Sequence, residues 1–124
     1  MQLVTASNKI SMSELKVMSE KMFSKLVKAV VDIEREIMAV DAAMHVDLEA
    51  FLLDEESELP EGPSIQDNLW GINFHPYETS SQEFVEFDSM INMRPAVGNG
   101  SRYVENAQIR AKIIAVVAKL VKND

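Results

Sequence analysis

Arg94 and Arg102 bracket the stretch Pro95-Ala96-Val97-Gly98-Asn99-Gly100-Ser101, and no other part of the chain is so well suited to holding an anion. A planar guanidinium fork matches a carboxylate or phosphate. Glycines let backbone N–H groups turn toward negative charge, and a helix start just beyond adds positive potential. Arg94, Asn99, Ser101 and Arg102 are therefore candidate binding residues for a small anionic ligand, with Asp88 and His45 as candidate proton carriers. The glycine spacing matches neither the phosphate loop of nucleotide hydrolases nor the dinucleotide fingerprint, and Asn99-Gly100 is also a common turn. Glu86, Asp88 and Glu105 offer the arginines internal partners. A structural loop with arginine–carboxylate pairs is the competing expectation and the preferred one.

Other residue types with chemical potential are sparser. Asp41, His45, Asp47 and Glu49, with His75 further on, bring imidazole and carboxylates together. Such groups ligate zinc or iron, or move protons. With two histidines and no fixed ligand spacing, no metal site and no cofactor is expected. Asp88-Ser89 lacks the glycine-flanked elbow of a hydrolase nucleophile. The acidic run after Asp54 lacks the ladder of a calcium loop. Trp70 and Phe74 read as packing residues.

Composition narrows the class. The chain has 124 residues, 47% hydrophobic and 26% charged, which fits one globular domain, 1–124, rather than a disordered chain. Such a domain buries about 65% of the surface exposed by its unfolded form. No cysteine is present, so disulfides, thiolate zinc sites and cysteine catalysis are excluded. No apolar run suffices for a membrane span and no signal peptide is evident, so a cytoplasmic address is expected. Net charge is −8, distributed as −2 over residues 1–53, −10 over 54–93 and +4 over 94–124. The acidic middle argues against nucleic acid or an anionic membrane as partner.

Several elements must position these groups. Residues 2–6 are strand-prone, and Ser11 with Glu14 forms a capping box. Leu15, Met18, Met22, Leu26, Ala29, Ile33, Ile37, Val40 and Met44 then recur at three- and four-residue steps, which predicts one long helix over about 12–41. That rod would measure about 45 Å, against a domain diameter of about 35 Å. Val27, Val31 and Met38 add a second apolar flank, to be covered by the chain's own last helix, the preferred expectation, or by a helix of another copy. Alternation predicts strands over 45–53, 68–74 and 83–93, and Asn106 caps a last helix with an Ile109, Ile113, Val116, Val117, Leu120 stripe. The resulting order, β-α-β-β-β-α, describes an α+β two-layer sandwich. Its antiparallel sheet of three or four strands packs against one long and one shorter helix.

The stretches "REIMAVDAAMHVDLEAFLL", "LWGIN", "EFDSMINMRP", "GNGSR" and "IRAKIIAVVAKLV" resemble a family of small uncharacterised prokaryotic proteins, a domain of unknown function. The likeness runs from about residue 26 to 121 and is most distinctive in EFDSMIN-x-RP and GN-x-SR. It implies a compact fold and no particular activity, cofactor or substrate. Members often open the last helix with Asp-Pro, where this chain has Asn106-Ala107. The functional expectation is a small interaction or accessory domain, self-associating or bound to a partner protein and without catalysis. The alternative is a binding protein or enzyme for a small anionic ligand at the 94–102 loop.

Overall fold

The computed structural model describes residues 1–21, 25–42, 47–54, 62, 64–78 and 81–123. It is an α+β protein, consistent with a two-layer sandwich: an antiparallel five-stranded sheet under helices, the last helix being the longest. The strands are β1 (Gln2–Val4), β3 (Val27–Asp32), β4 (Ile37–Asp41), β5 (Leu69–Phe74) and β6 (Val85–Glu86), in the order β1-β4-β3-β5-β6. A separate parallel pair joins β2 (Ile10–Ser11) to β7 (Val121–Lys122). It ties the chain entering the first helix to the end of the last.

The long helix expected over 12–41 is not formed. Helix α1 covers only Met12–Ser19, and β3 and β4 make a hairpin where the rod would continue. Residues 27–40 satisfy a helical period because they are apolar at most positions, and a strand buried on both faces is also apolar at most positions. Six β-branched residues between Val27 and Val40 favour the strand. The charged residues Glu34, Arg35 and Glu36 form the turn between the two strands. Asp32 Oδ1 accepts from the backbone N–H of Glu34 at 3.0 Å and of Arg35 at 2.9 Å. Glu36 completes the reversal at a φ of 55°.

Two strand assignments also change. Within 45–53, residues 47–53 are described: Asp47 Oδ1 accepts from Ala50 N at 3.0 Å, opening helix α2 (Leu48–Asp54). Leu48 and Leu52 are one helical turn apart and both buried. Of 83–93, only Val85–Glu86 is strand. It follows the short helix α3 (Ser81–Phe84), and Met90–Asn92 forms a 3-10 turn. The strand expected at 68–74 matches β5, and helix α4 (Ala107–Leu120) is capped by Asn106 Oδ1, which accepts from Gln108 N at 2.8 Å and Ile109 N at 3.2 Å. Ser11 caps α1 as expected, accepting from Glu14 N at 3.0 Å.

The two sheet faces differ. One carries Val4, Val27, Val31, Met38, Val40, Trp70, Ile72 and Phe74 beneath Leu15 of α1 and the Ile113, Val116, Val117, Leu120 stripe of α4. The other carries Val30, Ile37, Ala39 and Leu69 beneath Leu48 and Leu52 of α2. Further along this second face the register aligns Asp41, Lys28, Asn73 and Glu86 in one row across β4, β3, β5 and β6. That row is polar where Val30, Ala39 and Leu69 are apolar, and its Lys28 and Asn73 form the floor of the site below. Among the described residues no helix is long and apolar enough to cross a membrane.

Helix α1 is held to the sheet mainly by Leu15, whose side chain is fully buried, whereas Val17 is 61% exposed. Leu15→Ala is therefore expected to lower the unfolding free energy by about 2–5 kcal/mol. Val17→Ala should stay within about 0.5 kcal/mol. Urea denaturation of the two variants checks the contrast.

Candidate functional site

Residues 88–102 form a clasp laid over strand β5, and its closure starts at Gly71. There the Asn92 side chain takes the place of a neighbouring strand. Gly71 N donates to Asn92 Oδ1 at 2.9 Å, and Asn92 Nδ2 donates to Gly71 O at 3.0 Å. The same Nδ2 faces Arg102 O at 3.0 Å, and Ser89 N donates to Arg102 O at 3.1 Å. Both ends of the clasp are thus tied to one point of the sheet. Any Cβ at Gly71 would run into Ser89 Oγ and Cβ, so the close approach requires glycine here.

The middle of the clasp closes on itself. Arg94 N donates to Asn99 O at 2.7 Å and Asn99 N returns to Arg94 O at 3.2 Å. The 3-10 turn Pro95–Val97 lies between them, and Gly98 supplies the left-handed step at φ 85°. Asn99 is buried. Its Nδ2 lies at 2.7 Å from Asn92 O, 3.0 Å from Ser101 O and 2.7 Å from Tyr103 O, while its Oδ1 accepts from Glu105 N at 2.9 Å. The Asn99 amide is spent on shaping the loop.

The two arginines have separate duties. Arg94 donates through Nη1 to Gln66 O and through Nη2 to Leu69 O, both at 2.6 Å, and its guanidinium stacks 4.5 Å from the Trp70 ring centroid. Burial pulls its pKa below the ordinary value, with the charges of Glu49 and Asp67 opposing the shift. Arg102 donates through Nε to Asp88 Oδ1 at 2.7 Å, and that hydrogen bond and charge raise its pKa. Both partners of this pair are nearly half exposed. Ser101 Oγ donates to Glu105 Oε2 at 2.5 Å. Of the sequence candidates, the structure therefore brings Asp88 and Arg102 together and sets Arg94, Asn99 and Ser101 in other contacts. His45 lies outside the described residues.

A cleft of about 290 Å³ opens between the clasp and α2. Lys28 and Asn73 of the polar row line it, with Asp47 and Glu49 from the start of α2 and Ser89 and Arg102 from the clasp. Arg102 uses only Nε among the described residues, which leaves its terminal nitrogens without a protein acceptor. Lys28 makes no ion pair or side-chain hydrogen bond among them. Asn73 is buried: its Nδ2 lies 2.9 Å from Glu86 Oε1 and 3.2 Å from Asp88 O, and its Oδ1 has no hydrogen-bond partner among the described residues. Beyond Glu86 the row ends at His75, whose Nε2 is 3.2 Å from Glu86 Oε1. Among the described residues no group of three or more His, Asp or Glu side chains is arranged to hold a metal ion.

Lys28, Asn73 and Asn92 escaped the sequence reading. Lys28 falls inside the segment 12–41 expected to be helical and lies in strand β3 instead. Asn73 is a polar residue inside the apolar strand LWGINF, which is the one signal that marks it. Asn92 gave no signal, because its role depends on a glycine 21 residues away.

The fold and cleft define a small α+β protein with a polar pocket on one sheet face. Residues 4–120 match the family described as Protein of unknown function (DUF5674), and the chain belongs to that family. No curated protein and no solved structure gives a significant match.

Asn92→Ala removes three hydrogen bonds of about 1 kcal/mol each, so a loss of about 3 kcal/mol is expected. Gly71→Ala should cost about 1–3 kcal/mol by overpacking. Because both changes break one contact, the double variant should lose less than the two losses added together. Urea unfolding of the three variants measures it.

Proposed function

We propose that this protein binds a small anionic molecule in the cleft between α2 and the clasp. This keeps the anionic-ligand reading but moves its centre from the 94–102 loop to Arg102 and Lys28. The observation that carries it is the pair of unengaged cationic groups on one cleft, the terminal nitrogens of Arg102 and the ammonium-bearing side chain of Lys28. A guanidinium held by a single Nε contact keeps a fork free for carboxylate or phosphate. The Arg102–Asp88 pair is exposed and worth little to the fold, so orienting the arginine is the better account of Asp88. Ser89 lines the same cleft and supplies a hydroxyl.

Calorimetric titration with inorganic phosphate and short carboxylates tests the reading. Arg102→Ala and Lys28→Ala are each expected to weaken binding about tenfold or more, as loss of a charge-assisted hydrogen bond does. Asp88→Ala should weaken it by a smaller factor, because the arginine then loses the carboxylate that orients it. Binding that none of these changes moves would place the ligand elsewhere.

A self-associating accessory domain is the second reading. The oversized helix no longer supports it, since the apolar flanks of residues 27–40 are covered within one chain. What favours it is the exposure of Met90, Met93 and Val97 on the clasp, with Met90 68% exposed. Methionine-rich surfaces suit adaptable contacts. Light scattering at micromolar concentration should then show a dimer that Met90→Lys dissociates; a monomer at every concentration removes this reading.

A further inference from the structure

Given the ligand-binding reading above, we infer that the ligand is a small zwitterion of the amino-acid type, carrying a primary ammonium as well as a carboxylate. Lys28 and Arg102 account for the anionic half. They are not the whole lining: Asp47 and Glu49 reach the same cleft from α2. A ligand that was anionic throughout would meet these carboxylates at close range, and like charges in a partly desolvated cleft repel.

The floor of the cleft is polar as well. Asn73 is 5% exposed and lines the cleft. Its amide orientation follows from its neighbours, because only the nitrogen can donate to Glu86 Oε1 and to Asp88 O. The Oδ1 atom is then left as a buried acceptor without a donor among the described residues. That atom is closed to solvent, so it marks the floor as polar without itself being a contact for a ligand. An ammonium in the cleft is attracted to Asp47 and Glu49, and a carboxylate to Lys28 and Arg102, so each half of a zwitterion has its own wall.

Size agrees with this class. About 290 Å³ lies at the small end of ligand sites, equal to about ten waters of liquid volume. A nucleotide is too large for full enclosure, whereas a single amino acid fits with its two charged groups between the walls.

The test is calorimetric titration of the intact protein with the common amino acids, each set against its deaminated carboxylic acid and its decarboxylated amine, for instance alanine, propionate and ethylamine. At least one amino acid is expected to bind ten times more tightly than both of its matched counterparts. Glu49→Gln, a half-buried change that breaks no hydrogen bond among the described residues, should weaken that amino acid several-fold and leave propionate or phosphate unchanged or tighter. Equal binding of an amino acid and its carboxylic acid, or indifference to Glu49→Gln, overturns the zwitterion while the anion site stands. Absence of binding by amino acids, carboxylates and phosphate alike overturns the ligand-binding reading with it.

Discussion

The contact between the Asn92 side chain and the backbone of Gly71 is the constraint on which the site depends. Strand β5 is bordered by β3 on one side and, for two residues only, by β6 on the other. Beyond that its backbone groups would lie buried without partners, at a cost of about 1–3 kcal/mol for each. A carboxamide has a donor and an acceptor at the spacing of a peptide group, and Asn92 uses both on Gly71. By also reaching Arg102 O it links two segments ten residues apart, so that Asp88, Ser89 and Arg102 arrive together over the second sheet face.

What the clasp covers explains why that face is polar. Lys28, Asn73 and Glu86 sit in register at the end of the sheet not roofed by Leu48 and Leu52. A charged row there avoids the desolvation that a packed roof would impose. The contrast between the two arginines follows the same logic. Arg94 is enclosed, held through its terminal nitrogens by backbone carbonyls and stacked on an aromatic ring, and serves the loop. Arg102 is steered by one exposed carboxylate and keeps most of its donors. Arginines alike in sequence context differ in function because one faces protein and the other faces a cleft.

Much of the fold was legible from residues alone. The capping box at Ser11, the β5 alternation of Trp70, Ile72 and Phe74, and the Asn106 cap with its apolar stripe rest on local signals, and each appears where the signal lies. The α+β class followed from them. The segment 12–41 misled for a physical reason: a strand buried on both faces is apolar at most positions and so meets a helical period as readily as an extended one. Its β-branched content and the Asp32 turn were the competing signals. At the site, Arg102 and Asp88 were found by charge type, while Lys28 and Asn92 could not be.

By itself the sequence determined what depends on neighbours within a turn or two: the helix caps, the alternation of β5, the charge partition along the chain, and the absence of thiol chemistry. Tertiary structure alone decided which segments are buried on both faces, and thereby made a hairpin of residues 27–41. It also decided that Asn92 spans to Gly71 and that Lys28, Asn73 and Arg102 share one cleft. Those outcomes are pairings between distant parts of the chain, and local spacing carries no record of which partner a backbone or a charge will meet.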